Sequence, residues 1–190
     1  MDFKKEGKIV IGLTGGIASG KSAASDIFAA YGAEVICSDK LSAHYFNVLK
    51  DKIEKHFKTT NRAEIAQRIF ADTQQRKWLE TLLHPLITTE AKDIIANTNK
   101  TVIVFDVPLL FESGFDNSFD FTLCIYADYI KRLKRALLKG FSETDFKQRD
   151  NTQMLLESKA QRADIVLYNN ATRKDLEEKI LKLCKTLIRG

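Results

Sequence analysis

Eight residues near the start of the chain, Gly15-Gly16-Ile17-Ala18-Ser19-Gly20-Lys21-Ser22, constrain its fold more than any other stretch. The pattern is a glycine, four residues, a second glycine, a lysine and a hydroxyl residue. Glycines let a backbone turn through positive φ and come close to an anion. Successive N–H groups then converge on one concavity. The helix expected over residues 21–31 adds the partial positive charge of its N-terminus. Such a turn works between a strand and a helix, and the apolar run Lys8-Ile9-Val10-Ile11-Gly12-Leu13 leads into it. The pattern points to a nucleoside triphosphate, with Lys21 reaching the β- and γ-phosphates and the Ser22 hydroxyl ligating Mg²⁺. It leaves three fates open for the γ-phosphate: transfer to a small molecule, hydrolysis coupled to motion, or use as a switch.

Four more short runs resemble that first strand: residues 33–37, 101–106, 121–126 and 164–168. They are rich in β-branched and aromatic residues and almost continuously apolar, as strands covered on both faces are. Alternation with helical stretches implies right-handed crossovers, and hence an α/β fold with a five-stranded parallel sheet. The last helix is the clearest periodic segment, with Leu176, Ile180, Leu183 and Leu187 on one face and Thr172 as its N-cap. The gap between the second and third strands is too long for one crossover. Residues 42–99 therefore read as a helical insertion, and residues 137–161 as a shorter, charged one with Gly140 as a hinge. The sheet core is left to residues 1–41, 100–136 and 162–190.

A chain of 190 residues, 44% hydrophobic and 29% charged, can bury such a core without disulfides or a structural metal. Its net charge of +5 favours an anionic partner without naming one. Apolar runs are too short to span a membrane, and the N-terminus lacks the pattern of a signal peptide. Cys37, Cys124 and Cys184 have neither metal-ligand nor redox spacing, which suits reduced thiols in the cytosol. With only His44, His56 and His84 there is little basis for a histidine-rich zinc site.

Asp39 follows the second strand, where open α/β sheets bind ligands. It suits either a base that takes a proton from a substrate hydroxyl or the cap of a helix starting at Lys40. Asp106 ends the third strand, either as a holder of Mg²⁺ or as a strand-end carboxylate without metal. His84-Pro85 reads as a helix stop. Arg62 and Arg68, on the same insertion, could bind phosphate bidentately or remain surface charges. The bases from Lys131 to Arg162 suit a mobile lid that neutralises transferring phosphate, a solvated helix pair, or a nucleic-acid patch. Few aromatics interleave with them, which weakens a single-strand-binding reading.

Together these motifs resemble the dephospho-CoA kinase family, in the nucleoside-monophosphate-kinase-like group. The resemblance runs over roughly residues 9–180. Ile11-Gly12-Leu13-Thr14-Gly15-Gly16-Ile17 is similar to the family's opening, and residues 62–70 with Leu82-Leu83-His84-Pro85-Leu86-Ile87 to its substrate domain. Val107-Pro108-Leu109-Leu110-Phe111-Glu112 is close to a family signature. Arg149, Gln153, Lys159, Ala163-Asp164 and Asn169 keep the family's spacing.

The resemblance implies a P-loop kinase three-layer core, with residues 42–99 as a dephospho-CoA-binding insertion and residues 137–161 as a helical lid. It implies transfer of the ATP γ-phosphoryl group to the ribose 3′-hydroxyl of dephospho-CoA, the last step of coenzyme A synthesis. ATP and Mg²⁺ are its implied cofactors. Dephospho-CoA is its partner, with no nucleic acid or membrane, in a cytoplasmic monomer or weak homo-oligomer. Asp39 is then the base and Lys21 the phosphate-stabilising cation. Gly15, Gly16, Ile17, Ala18, Ser19, Gly20, Lys21, Ser22, Ala23 and Asn169 bind ATP, with Ser22 on the metal. Arg62, His84, Pro108 and Leu109 bind the acceptor.

Three departures from the family pattern stand out. Cys37 occupies the place of a usual aspartate, and Ala18 that of a usual glycine, which would be strained at positive φ. The lid arginine expected before Gly140 is replaced by Leu138 or Lys139; Arg149 or Arg135 compensates, with Arg149 the candidate to supply part of its charge. The first rival reading is another small-molecule kinase of the same group, which would lack the signatures above, and the second is a non-catalytic regulator that binds ATP and a coenzyme-like ligand, which the lost arginine favours. The third is a basic nucleic-acid-binding ATPase, for which no motif asks.

Overall fold

The computed structural model describes residues 2–189. Met1 and Gly190, the outermost residues of the expected core segments, lie outside the described residues. The chain forms two compact units, Met1–Ile36 with Ile95–Gly190, and Cys37–Ile94.

The first unit is built on a sheet whose strands lie where the apolar runs place them. They are β1 (Ile9–Gly15), β2 (Glu34–Cys37), β3 (Val102–Asp106), β4 (Phe121–Tyr126) and β5 (Ile165–Tyr168). The five-stranded parallel sheet has the order β2-β3-β1-β4-β5. β1 is central, pairing with β3 from Ile9↔Val102 to Leu13↔Asp106 and with β4 from Ile11↔Phe121 to Gly15↔Ile125. All but its first residue are buried. A Cβ on Gly12 would lie 2.5 Å from Phe119 Cδ2 and 2.7 Å from Leu110 Cδ1, so the strand passes where only glycine fits.

One face of the sheet is covered by α1 (Lys21–Ala30) and the last helix, whose contacts with β1, β3, β5 and each other close the main core. Ile11, Leu13, Phe28, Val104, Leu123, Ile125, Leu176 and Ile180 belong to that core, with Leu183 and Leu187 packed against it. Burying one such side chain stabilises by about 1.5–3 kcal/mol, which is what the periodic last helix supplies. Thr172 Oγ1 accepts from Asp175 N at 3.2 Å, the N-cap expected there. Asp164 Oδ2 accepts from Thr122 N at 2.8 Å and Thr122 Oγ1 at 2.7 Å, fastening β5 to β4. Those Thr122 bonds hold the Asp164 carboxyl below the usual carboxylate range.

The second unit is helical: α2 (Ser38–Val48), α3 (Lys50–Phe57), α4 (Arg62–Ala71) and most of α5 (Thr73–Asn97). Phe46, Ile53, Phe57, Ile65, Leu79 and Leu83 form its own core. Asn61 caps α4 by accepting from Ala63 N at 3.0 Å. The His84-Pro85 pair does not stop a helix. Pro85 lies inside the 25-residue α5. Proline removes one backbone donor and costs about 3 kcal/mol in a helix interior. Leu79 and Leu83, 8% and 6% exposed before it, and Ala91, fully buried after it, hold the helix through.

After β4 come α6 (Tyr129–Leu138), α7 (Glu143–Asn151) and α8 (Leu156–Arg162), and after β5 comes α9 (Arg173–Arg189). Ser142 and Asp145 make a reciprocal capping box at α7. No helix among the described residues is long and apolar enough to cross a membrane.

The three cysteines are free thiols of unequal access. Burial pushes Cys124 up to about 12, and Cys184 also up. At pH 8 the thiolate fraction of Cys124 is then about 1 in 10,000. A thiol reagent should therefore label the native protein at the half-buried Cys37 alone, with Cys124 and Cys184 reacting only after denaturation, as read by peptide mass.

Candidate active site

β1 ends at Gly15 and α1 begins at Lys21, so the glycine-rich segment is a strand-to-helix turn. Gly20, at φ 103, is the N-cap, with no side-chain cap and no acidic residue in the first turn. The first N–H groups of α1 therefore keep their charge for an incoming anion. Ala18, expected to be strained if its φ were positive, has φ 57.

The turn is held from outside by its neighbours across β4 and β5. Ser19 O accepts from Asn169 Nδ2 at 2.8 Å and from Arg135 Nη1 at 3.3 Å. Arg135 Nη2 donates to Asn169 O at 2.8 Å, closing the clamp. A Cβ on Gly20 would lie 2.0 Å from Asn169 Nδ2, so the clamp requires glycine there. Asn169, expected to bind ATP, thus lies against the turn itself and is 5% exposed.

Arg132, one helical turn before Arg135, is 3% exposed. Its guanidinium makes a bidentate pair with Asp150, at 2.5 and 3.1 Å, and reaches Ile17 O at 3.5 Å. It also lies 5.6 Å from the Phe146 ring and 5.7 Å from that of Tyr129. Arg132 Nε and Ser19 Oγ are buried and have no hydrogen-bond partner within the described chain. Buried polar atoms are seldom left unpaired. Two orphaned donors at this turn suit an oxygen-rich ligand.

On the other side of β1, Lys21 Nζ is paired with Asp106 Oδ1. Asp106, 4% exposed, takes Ser25 Oγ on its second oxygen at 3.0 Å. Ser22 is exposed in the first turn of α1. Beyond β3, the Pro108 carbonyl accepts from Thr14 Oγ1 at 3.1 Å and from Lys159 Nζ at 2.7 Å. Leu109 is 42% exposed.

Asp39 lies in the first turn of α2, exposed, two residues after β2 ends. It does not cap a helix starting at Lys40, because α2 begins at Ser38 and its N-cap is Cys37. Within the second unit, Arg62 Nη2 donates to Ala43 O at 2.9 Å and Asn47 Oδ1 at 3.2 Å, over the Phe46 ring at 4.8 Å. Arg68 donates to Phe57 O at 2.6 Å and pairs with Glu64 at 2.5 Å. His84 is half-buried on α5. Near the missing lid arginine, Leu138 is 88% exposed. Arg149 is exposed, with its guanidinium over the Phe141 ring at 5.0 Å.

The structure brings Gly15 to Ala23, Asn169 and Asp106 together, and adds Arg132, Arg135 and Asp150. Sequence reasoning read Arg132 only as part of a basic stretch, and Arg135 also as an alternative to Arg149 for the missing lid arginine. Their spacing of three, on a helix after a strand, was the available signal for a shared face. Nothing in the sequence pairs Arg132 with Asp150.

Comparison with known proteins bears on what this arrangement acts upon. Residues 9–175 match the family described as Dephospho-CoA kinase. A dephospho-CoA kinase of Syntrophotalea carbinolica is 32% identical over 197 residues, covering 96% of this chain and 93% of the relative. The crystal structure of TT1252 from Thermus thermophilus is similar with a TM-score of 0.88 at 28% identity, covering 95% of this chain and 98% of that one. A dephospho-CoA kinase from Campylobacter jejuni has a TM-score of 0.66 at 26% identity, with the same coverages.

The positive φ of Ala18 gives a test of the turn. A left-handed non-glycine residue costs about 1–2 kcal/mol, and glycine gives back about 0.4–1 kcal/mol through the unfolded chain. Ala18→Gly should therefore stabilise by about 0.5–1 kcal/mol, raising Tm by about 1–4 °C in a calorimetric scan. A lower Tm would contradict the strain.

Proposed function

The chain belongs to the dephospho-CoA kinase family, and from that premise we propose that it transfers the γ-phosphoryl group of ATP to the ribose 3′-hydroxyl of dephospho-CoA, giving coenzyme A and ADP. The observation that carries this is the family match over residues 9–175, which takes in both the phosphate turn and the Val107 to Glu112 signature.

The turn from Gly15 to Ala23 and the N-terminus of α1 receive the phosphates of ATP. Arg132 and Arg135 brace this turn, where Arg132 Nε and Ser19 Oγ are buried without a partner among the described residues. Lys21 leaves Asp106 and follows the β- and γ-phosphates, exchanging one anion for another without passing through an uncompensated buried state. Asn169 fixes the Ser19 carbonyl on the nucleotide side of the turn.

The residues present suit Mg²⁺. Among the described residues no three His, Cys, Asp or Glu side chains converge on a point. Mg²⁺ is commonly held by one or two protein oxygens together with phosphates and water. Ser22 and Asp106 supply such oxygens at one end of the sheet. When bound, Mg²⁺ would neutralise charge on the β- and γ-phosphates.

Asp39 accepts the proton of the 3′-hydroxyl. Arg62, His84, Pro108 and Leu109 hold the acceptor, residues 42–99 act as its binding insertion, and residues 137–161 close as a lid. Arg149 adds lid charge in place of the missing arginine. The basic surface of α6 to α8 serves two phosphate-bearing substrates and no nucleic acid. Its free thiols suit a reducing compartment. We place the enzyme in the cytoplasm, as a monomer or weak homo-oligomer.

Incubation with ATP, Mg²⁺ and dephospho-CoA should yield coenzyme A by mass. ATP binding without product would support a non-catalytic regulator instead. Asp39→Asn removes the base with little change of shape, and should lower kcat by about 10²–10⁴ while leaving ATP affinity nearly unchanged. Unaltered turnover would remove Asp39 from the mechanism.

A further inference from the structure

Among the described residues, Lys159 is a buried charged side chain that the phosphate chemistry does not explain. It is fully buried on α8. Its Nζ lies 2.7 Å from Pro108 O and 2.9 Å from Glu112 Oε1. The same Glu112 oxygen accepts from Met154 N at 2.9 Å. The Pro108 carbonyl also accepts from Thr14 Oγ1, the residue that precedes the phosphate turn. Val107 N donates to Leu13 O at 2.9 Å. Segment 107–112 is thus fixed between β1 and α8, with Leu110 and Phe111 buried and Leu109 turned outward, 42% exposed.

A buried ammonium is costly, and an apolar side chain of similar volume often serves stability as well or better. Stability alone is therefore a weak reason for this pair. Its geometry offers a better one. The strand order puts β4 and β5, with Asn169 and Arg132 beyond them, on one side of the phosphate turn, and β3 on the other. The nucleotide side is taken by the Ser19 clamp. Segment 107–112 leaves the carboxyl end of β3, where a second ligand binds in such a sheet. It presents an exposed leucine there.

We propose that Lys159 and Glu112 are positioning residues that set segment 107–112, and through Leu109 the binding of the apolar part of the phosphoryl acceptor. This rests on the dephospho-CoA reading above. The pair acts on the acceptor and not on ATP. The phosphate turn has separate contacts with α7 and α8, through Asp150 and Arg132 and through Leu156, whose Cδ2 lies 3.3 Å from where a Cβ on Gly16 would be.

The test is kinetic, with Tm measured alongside, on the full chain. Lys159→Met should raise KM for dephospho-CoA about tenfold and leave KM for ATP within about twofold. Glu112→Gln should move the same constant in the same direction, less far. The double variant Lys159→Met with Glu112→Leu removes the stranded carboxylate. It should regain Tm, yet keep the raised acceptor KM. Acceptor KM returning to the wild-type value together with Tm would reduce the pair to a structural role and overturn the proposal. So would an equal rise in both KM values. If Lys159→Met does not fold, Glu112→Gln and the double variant decide. Wild-type protein that forms no coenzyme A would sink the functional reading itself. Active wild type with unchanged variants would sink this inference alone.

Discussion

The ion pair between Lys21 and Asp106 is the interaction on which the rest of the structure depends. It joins the first residue of α1 to the last of β3, with side chains only 15% and 6% exposed. Parallel pairing of Leu13 with Asp106 brings the carboxylate level with the end of β1, just before the chain turns into the glycine-rich segment. Ser25 Oγ occupies the second carboxylate oxygen. A lysine held in this way is desolvated before any phosphate arrives. Its transfer to a triphosphate exchanges partners inside a site already stripped of much water, where electrostatic interactions are stronger than in bulk solvent.

The opposite flank of the turn obeys a different constraint. A concavity of N–H groups needs a backbone fixed in an open shape, and the turn makes few bonds of its own to hold it, such as Ser19 N to Gly16 O at 3.1 Å. The shape is imposed by Asn169, Arg135 and Arg132, which reach its carbonyls from just after β5 and from α6. Ala18 at positive φ is one local cost, and the close approach of Asn169 to Gly20 is another reason that the second glycine stands where it does.

Much of this was legible in the sequence, for identifiable reasons. All five strands were visible because strands buried on both faces must be apolar throughout. The phosphate turn was visible because its chemistry permits few residue types at fixed spacing. Thr172 and the apolar face of α9 followed from helix periodicity. What stayed hidden depends on contacts distant in sequence. Pro85 carries a local stop signal, which the packing of Leu79, Leu83 and Ala91 overrides. Arg132 and Lys159 look like members of a charged, solvated stretch. Their burial depends on Asp150, Glu112 and the Pro108 carbonyl, partners that periodicity cannot supply. Asp39 is an intermediate case: its place after β2 was legible, and α2 beginning at Ser38 removes the capping alternative.

Coupling of ATP consumption to acceptor phosphorylation tests the central claim most directly. ADP and coenzyme A should be counted in the same reaction, with dephospho-CoA present and absent. A kinase built on this turn should release one ADP for each coenzyme A formed, with little ADP release when the acceptor is withheld. ADP release at the same rate with and without dephospho-CoA would contradict it.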